Sequence, residues 1–211
     1  GSYRGYFSLA SRGFEMPQST NANRYYHNYA YESSAYSKGA VFLGQLAYIV
    51  GYENLFNILR AYYNEWKFKH PLPNDFRRIA ERISGIQLQW YLTDWTQTTN
   101  KIDYAISDVE DKGEGSKINL TRNQLMPMPL ELLVVLKNGE SELHYIPISL
   151  MRGEKANPYP IKWVVHPDWA WAHLEYSFLI DHPKEEIQTI IIDPSGLMAD
   201  VDKSNNYYAS E

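Results

Sequence analysis

Five tyrosines crowd residues 25–36 of this chain: Tyr25, Tyr26, Tyr29, Tyr31 and Tyr36. With a pKa near 10, a phenol is a neutral hydrogen-bond donor at pH 7. A donor of that kind can stabilise an oxyanion as it develops. The alternative is that Tyr36 merely packs at a helix N-terminus, and residue types alone leave both readings open. A second aromatic group, Trp163, Trp169, Trp171 and Tyr176, could stack on a sugar or a peptide, or fill the core and edge of a sheet. Six histidines are present, at 27, 70, 144, 166, 173 and 182, and no pair has the i, i+4 spacing with a glutamate that marks a helical zinc site. His166 and His173 are seven apart, with Pro167 interrupting any helix between them. There is no Gly-x-Ser-x-Gly elbow and no phosphate-cradling glycine loop. The absence of cysteine excludes disulfides, thiolate zinc sites and cysteine nucleophiles.

The elements that must position these groups change character along the 211 residues. The net charge of −5 argues against a nucleic-acid binder that works by phosphate neutralisation. No apolar run approaches the 18 residues of a transmembrane helix. Residues 1–100 carry ten Lys/Arg and seven Asp/Glu, whereas residues 101–211 carry ten and eighteen, which suggests two modules. Residues 1–30 have little periodicity and read mostly as loop. Helical spacing then predicts four amphipathic helices: Ala35 to Val50, Glu53 to Trp66, Asp75 to Ser84 with Asn74 as N-cap, and Ile86 to Thr96. Beyond Asn100 the hydrophobic period falls to two. Lys112-Gly113-Glu114-Gly115 and Asn138-Gly139 are hairpin signals. Strands are expected near 104–109, 118–120, 130–136, 143–150, 161–165, 174–180 and 187–192, with loop after Asp193-Pro194. About seven short strands with frequent turns suggest an antiparallel β-sandwich. The expected fold class is therefore multi-domain, α then β: a helical part over 1–101, a sandwich over 102–202 and a tail over 203–211.

Tyr36-Ser37-Lys38-Gly39-Ala40 leading into an apolar helix resembles the M1 family of zinc aminopeptidases, which are gluzincins. The likeness continues through Gly51-Tyr52-Glu53, Leu59-Arg60-Ala61-Tyr62, Trp66-Lys67-Phe68-Lys69-His70-Pro71, Asp75-Phe76, Ser84-Gly85, Trp90 and Trp95 to Asp103-Tyr104. It is specific over residues 31–104 and looser over 105–200. It implies the helical second half of a thermolysin-like catalytic domain followed by the family's β-sandwich. It also implies a peptidase that releases N-terminal amino acids from peptides, using one zinc and a glutamate general base. By position, Tyr36 matches the family tyrosine that donates to the tetrahedral oxyanion; Lys38 and Gly39 would serve helix geometry, and Tyr31 could line the same pocket.

The departure from that pattern is large. The chain contains neither His-Glu-x-x-His nor the Gly-x-Met-Glu-Asn segment that reads the substrate's amino terminus. The resemblance thus implies a C-terminal fragment, with zinc held by the upstream catalytic half of the parent, no metal ligands here and no activity alone. The competing expectation is a non-catalytic module that holds a peptide or carbohydrate on the Trp163–Tyr176 aromatics. The compartment stays open, with a periplasmic or extracellular setting expected ahead of a cytoplasmic one.

Overall fold

In the computed structural model, which describes residues 1–210, the opening residues are helical rather than loop. Helix α1 (Ser2–Ser11) buries Tyr6, Leu9 and Ala10 on one i, i+3, i+4 stripe. The tyrosine-rich composition hides that stripe from a hydrophobicity reading, because a phenol buries its ring while carrying a polar tip. The chain then divides into two units, residues 1–100 together with 150–156, and residues 101–149 together with 157–211.

In the first unit, α2 (Asn28–Glu32) runs into a π-helical turn over Ser33–Lys38 and then into α3 (Gly39–Val50). The single helix expected over 35–50 is thus two kinds of helix. Gly51, at φ 84°, ends α3 in a backbone region that L side chains rarely adopt. Helix α4 (Tyr52–Trp66) buries Leu55 and Ile58. Helix α5 (Pro73–Ser84) starts at Pro73, whose fixed φ and missing N–H suit the first helical position. Its N-cap is Leu72 rather than Asn74, and the Asp75 carboxylate accepts the Leu72 N–H at 2.8 Å. Gly85 closes it in the left-handed conformation. Helix α6 (Gln89–Gln97) buries Trp90, Tyr91, Leu92 and Trp95. The Tyr91 hydroxyl donates to the Phe42 carbonyl at 2.6 Å, and the two rings stack at 5.0 Å. Residues 150–156 complete this unit, with Gln87 N–H donating to the Met151 carbonyl and Lys155 Nζ donating to the Tyr48 carbonyl at 2.6 Å.

Among the described residues, the second unit contains eight strands in two sheets. Strands β1 (Tyr104–Asp111), β2 (Ser116–Arg122) and β6 (Glu175–Ile180) form an antiparallel sheet in the order β1-β2-β6. The other sheet has the order β5-β4-β3-β7-β8, from β3 (Leu130–Leu136), β4 (Ser141–Ile146), β5 (Lys162–Val165), β7 (Ile187–Ile192) and β8 (Tyr207–Ala209). Helices precede sheets as expected, but the expectation of about seven strands, all antiparallel, is corrected in two respects. Strand β5 pairs parallel to β4, and β8 adds an edge strand within the stretch expected as loop. Asn138-Gly139 makes the β3–β4 hairpin, with Gly139 at φ 89°. Ile118, Leu120, Leu130, Leu132, Val134, Ile187 and Ile190 are fully buried and form much of the core. Each contributes about 1.5–3 kcal/mol of transfer free energy.

Candidate functional site

Tyr36 stands on the π-helical turn. Its side chain is 76% exposed and makes no ring contact or hydrogen bond among the described residues. The backbone beneath it is fixed from several directions. Helix α1 comes so close that a Cβ on Gly5 would lie 2.9 Å from Ser37 Cβ and nearer still to its Oγ. The Gln18 side-chain amide donates to the Ser34 carbonyl at 3.0 Å. The Trp95 indole N–H donates to the Lys38 carbonyl at 3.3 Å. Lys38 Nζ lies 2.8 Å from Glu15 Oε1, with the two side chains 2% and 4% exposed. Neither Glu15 oxygen has a hydrogen bond, so the Lys38 charge is what neutralises it. The buried Tyr6 hydroxyl is pushed well above its ordinary range, by burial first and by the Glu15 charge second. A π turn inside a helix is rare and is found often at functional sites.

Tyr31, the second sequence-derived candidate, is half exposed and packs edge-on against Tyr25 at 5.5 Å. Tyr25 in turn donates to the Pro17 carbonyl at 3.2 Å. Tyr26 projects into solvent, and Tyr29 donates to Ser8 Oγ at 3.0 Å.

The aromatic platform expected on the sheets does not form as a four-ring face. Trp169 is core, with its indole N–H donating to the His173 carbonyl at 2.9 Å and its ring edge-on to Tyr104. Tyr176 stacks on Trp169 and donates to the Pro167 carbonyl, and Trp163 stacks on Tyr145. Of the four, Trp171 alone is mostly exposed.

A cluster that sequence reasoning missed lies in the second unit. His144 Nδ1 is 2.8 Å from His166 Nε2, and His144 Nε2 is 2.9 Å from Glu142 Oε1. Glu142 also meets Lys162 Nζ at 2.5 Å and His182 Nε2 at 3.2 Å. Since a carboxylate only accepts, His144 donates through Nε2 and accepts at Nδ1, where His166 donates. Burial pushes the His144 imidazolium down, against the pull of Glu142. Burial and the neighbouring His144 push His166 down to about 4. Burial alone would raise the Glu142 carboxyl, but Lys162 and His144 hold it below the usual value. The i, i+2 spacing of Glu142 and His144 in a strand was the one signal in sequence; the parallel β4–β5 register that brings up His166 had none. Among the described residues, no group of three or more His, Asp or Glu side chains has an arrangement that could hold a metal ion. No helix there is long and apolar enough to cross a membrane.

Comparison with known proteins adds fold information only. No protein-family model and no curated protein matches the sequence. Among solved structures, the chain is similar to an aminopeptidase A of Legionella pneumophila, solved in complex with aspartic acid, with a TM-score of 0.51 at 11% identity. The match covers 83% of this chain and 18% of that one, so this chain spans less than a fifth of its structural neighbour. The fold is thus aminopeptidase-like.

Proposed function

We propose that this chain is the C-terminal portion of a zinc metallopeptidase of the M1 aminopeptidase type, a gluzincin. On this reading residues 1–101 are the helical end of a thermolysin-like catalytic domain, residues 102–202 its following β-sandwich and residues 203–211 a tail. The Tyr36 phenol, exposed, unpartnered and carried on a pinned π turn, is the observation that carries the reading. The Tyr-x-Lys-Gly resemblance and the aminopeptidase-like fold support it.

The chain's own role is to donate one hydrogen bond. As a peptide carbonyl becomes tetrahedral, the Tyr36 O–H donates to its oxyanion, a contact absent from the ground state and therefore catalytic. Tyr31 borders the same substrate. The sequence carries no His-Glu-x-x-His, and on this reading zinc and the general base are supplied by an upstream catalytic half. The substrates are peptides with a free N-terminus. The chain alone is inactive.

The test is kcat/KM of the full-length gene product on an aminoacyl anilide, wild type against Tyr36→Phe. A fall of about a hundredfold or more at constant zinc content is expected. Unchanged activity in the variant refutes the role given to Tyr36.

A further inference from the structure

We infer that Lys38 is a positioning residue: with Glu15, Gln18 and Trp95 it clamps the π turn at Ser33–Lys38 in register and so sets where the Tyr36 hydroxyl stands. The role of Tyr36 in this statement rests on the proposed function; the clamp itself rests on geometry.

A π turn holds one more residue than the α-helix it interrupts. The Ser34 and Lys38 carbonyls accept from outside it, from the Gln18 amide of the loop after α1 and from the Trp95 indole of α6. Rewinding the turn to α would rotate one flank against the other by about 100° and shift it about 1.5 Å along the axis. Lys38 would then leave a buried Glu15 carboxylate that has no hydrogen bond of its own. Ser37 has no room to follow, because Gly5 of α1 already touches it. Three separate segments therefore converge on six residues, and the side chain they leave outward is Tyr36.

An ion pair of this kind is a poor stabiliser. Two apolar side chains of similar volume commonly serve stability as well or better. That makes a double variant, Glu15→Leu with Lys38→Met, the informative test. The expected result is a chain that melts within a few degrees of wild type, with the turn relaxed to α and Tyr36 displaced in its crystal structure. In the full-length gene product the same pair of changes should lower kcat tenfold or more while KM stays within about twofold. A double variant that keeps the π register and the Tyr36 position overturns the clamp. Should that variant fail to fold, Gln18→Leu, which removes the Ser34 bond without stranding a charge, is read the same way. A Tyr36→Phe enzyme of normal activity would remove the catalytic reading, while the register of the turn would still decide the clamp.

Discussion

Acid should loosen the second unit at one place, the junction of β4 and β5. His166 directly follows β5, and its backbone N–H is bonded to the Tyr145 carbonyl of β4. Its imidazole donates into His144, which donates into Glu142, and Phe178 of β6 covers both histidine rings. The charged groups facing the pair are Glu142, Lys162 and His182, with Glu186 3.9 Å from His182 and with Asp181 and Glu140 acting on Lys162. One extra proton fits, on His166 Nδ1. A second sets N–H against N–H across 2.8 Å and breaks the contact.

His166 titrates near 4 when folded and near 6.5 when unfolded, so between those values the unfolded chain binds more protons. Stability is therefore full above about 6.5 and is lost as pH falls toward 4. Between pH 7 and pH 5 this depression is worth about 2 kcal/mol, and about 1 kcal/mol once solvent screening of a half-buried ring is allowed for. That corresponds to a roughly fivefold more populated open state of β5. Asp200 opposes it: burial raises its carboxyl to about 6, so it gains stability as pH falls through that value. The difference between wild type and His166→Leu isolates the histidine contribution. The assay is hydrogen exchange of the β4 and β5 amides at pH 5, 6 and 7, corrected for intrinsic exchange. The variant should be weaker at every pH, because His144 Nδ1 loses its donor, and its loss of stability between pH 7 and pH 5 should be about 1 kcal/mol smaller than that of wild type, since the Asp200 and His144 contributions are common to both. A wild-type slope equal to that of His166→Leu refutes the reasoning.

Two further substitutions probe the first unit, beside the Tyr36 and Glu15/Lys38 variants above. Gly5→Ala puts a Cβ against Ser37 at 2.9 Å, so α1 must retreat; a loss of about 1–3 kcal/mol in urea unfolding is expected, and a neutral result would mean that the α1 approach is not tight. Asp75→Ala frees the Leu72 N–H at the start of α5 and should cost about 1 kcal/mol by thermal melting, whereas Asn74→Ala should cost much less because Asn74 is not the cap.

What the sequence made legible was whatever its near neighbours decide. Helices α3 to α6 follow from apolar spacing and from Gly51 and Gly85, and the β3–β4 hairpin follows from Asn138-Gly139. What it hid was decided at a distance. A parallel strand needs a long crossover, and the one between β4 and β5 passes through residues 150–156 of the helical unit, where Lys155 is bonded to Tyr48, a partner 107 residues away. No local pattern announces that path, so neither the parallel pairing nor the His144–His166 contact that depends on it was readable. Strand β8 was missed for another reason: at three residues it is too short to show a period.

The candidate site divides in the same way. Tyrosine at 36 was visible as a residue type, and a mostly exposed tyrosine alone says little, since many stand on surfaces. The conformation under it is what distinguishes Tyr36. The apolar spacing of Ala40, Leu43, Leu46, Ala47 and Val50 begins only after the π turn, so nothing local asks for its extra residue; Glu15, Gln18 and Trp95 ask for it, from up to 57 residues away. Such backbone persists only where the surroundings over-determine it. Here they do so with a buried ion pair, an arrangement that favours one geometry more than it favours stability. A chain selected for stability alone would carry an unbroken α-helix over apolar residues at 15 and 38. That this one does not is the physical reason to look for chemistry at Tyr36 rather than at the rings of Tyr26 or Trp171, which are also exposed but do not stand on a π turn.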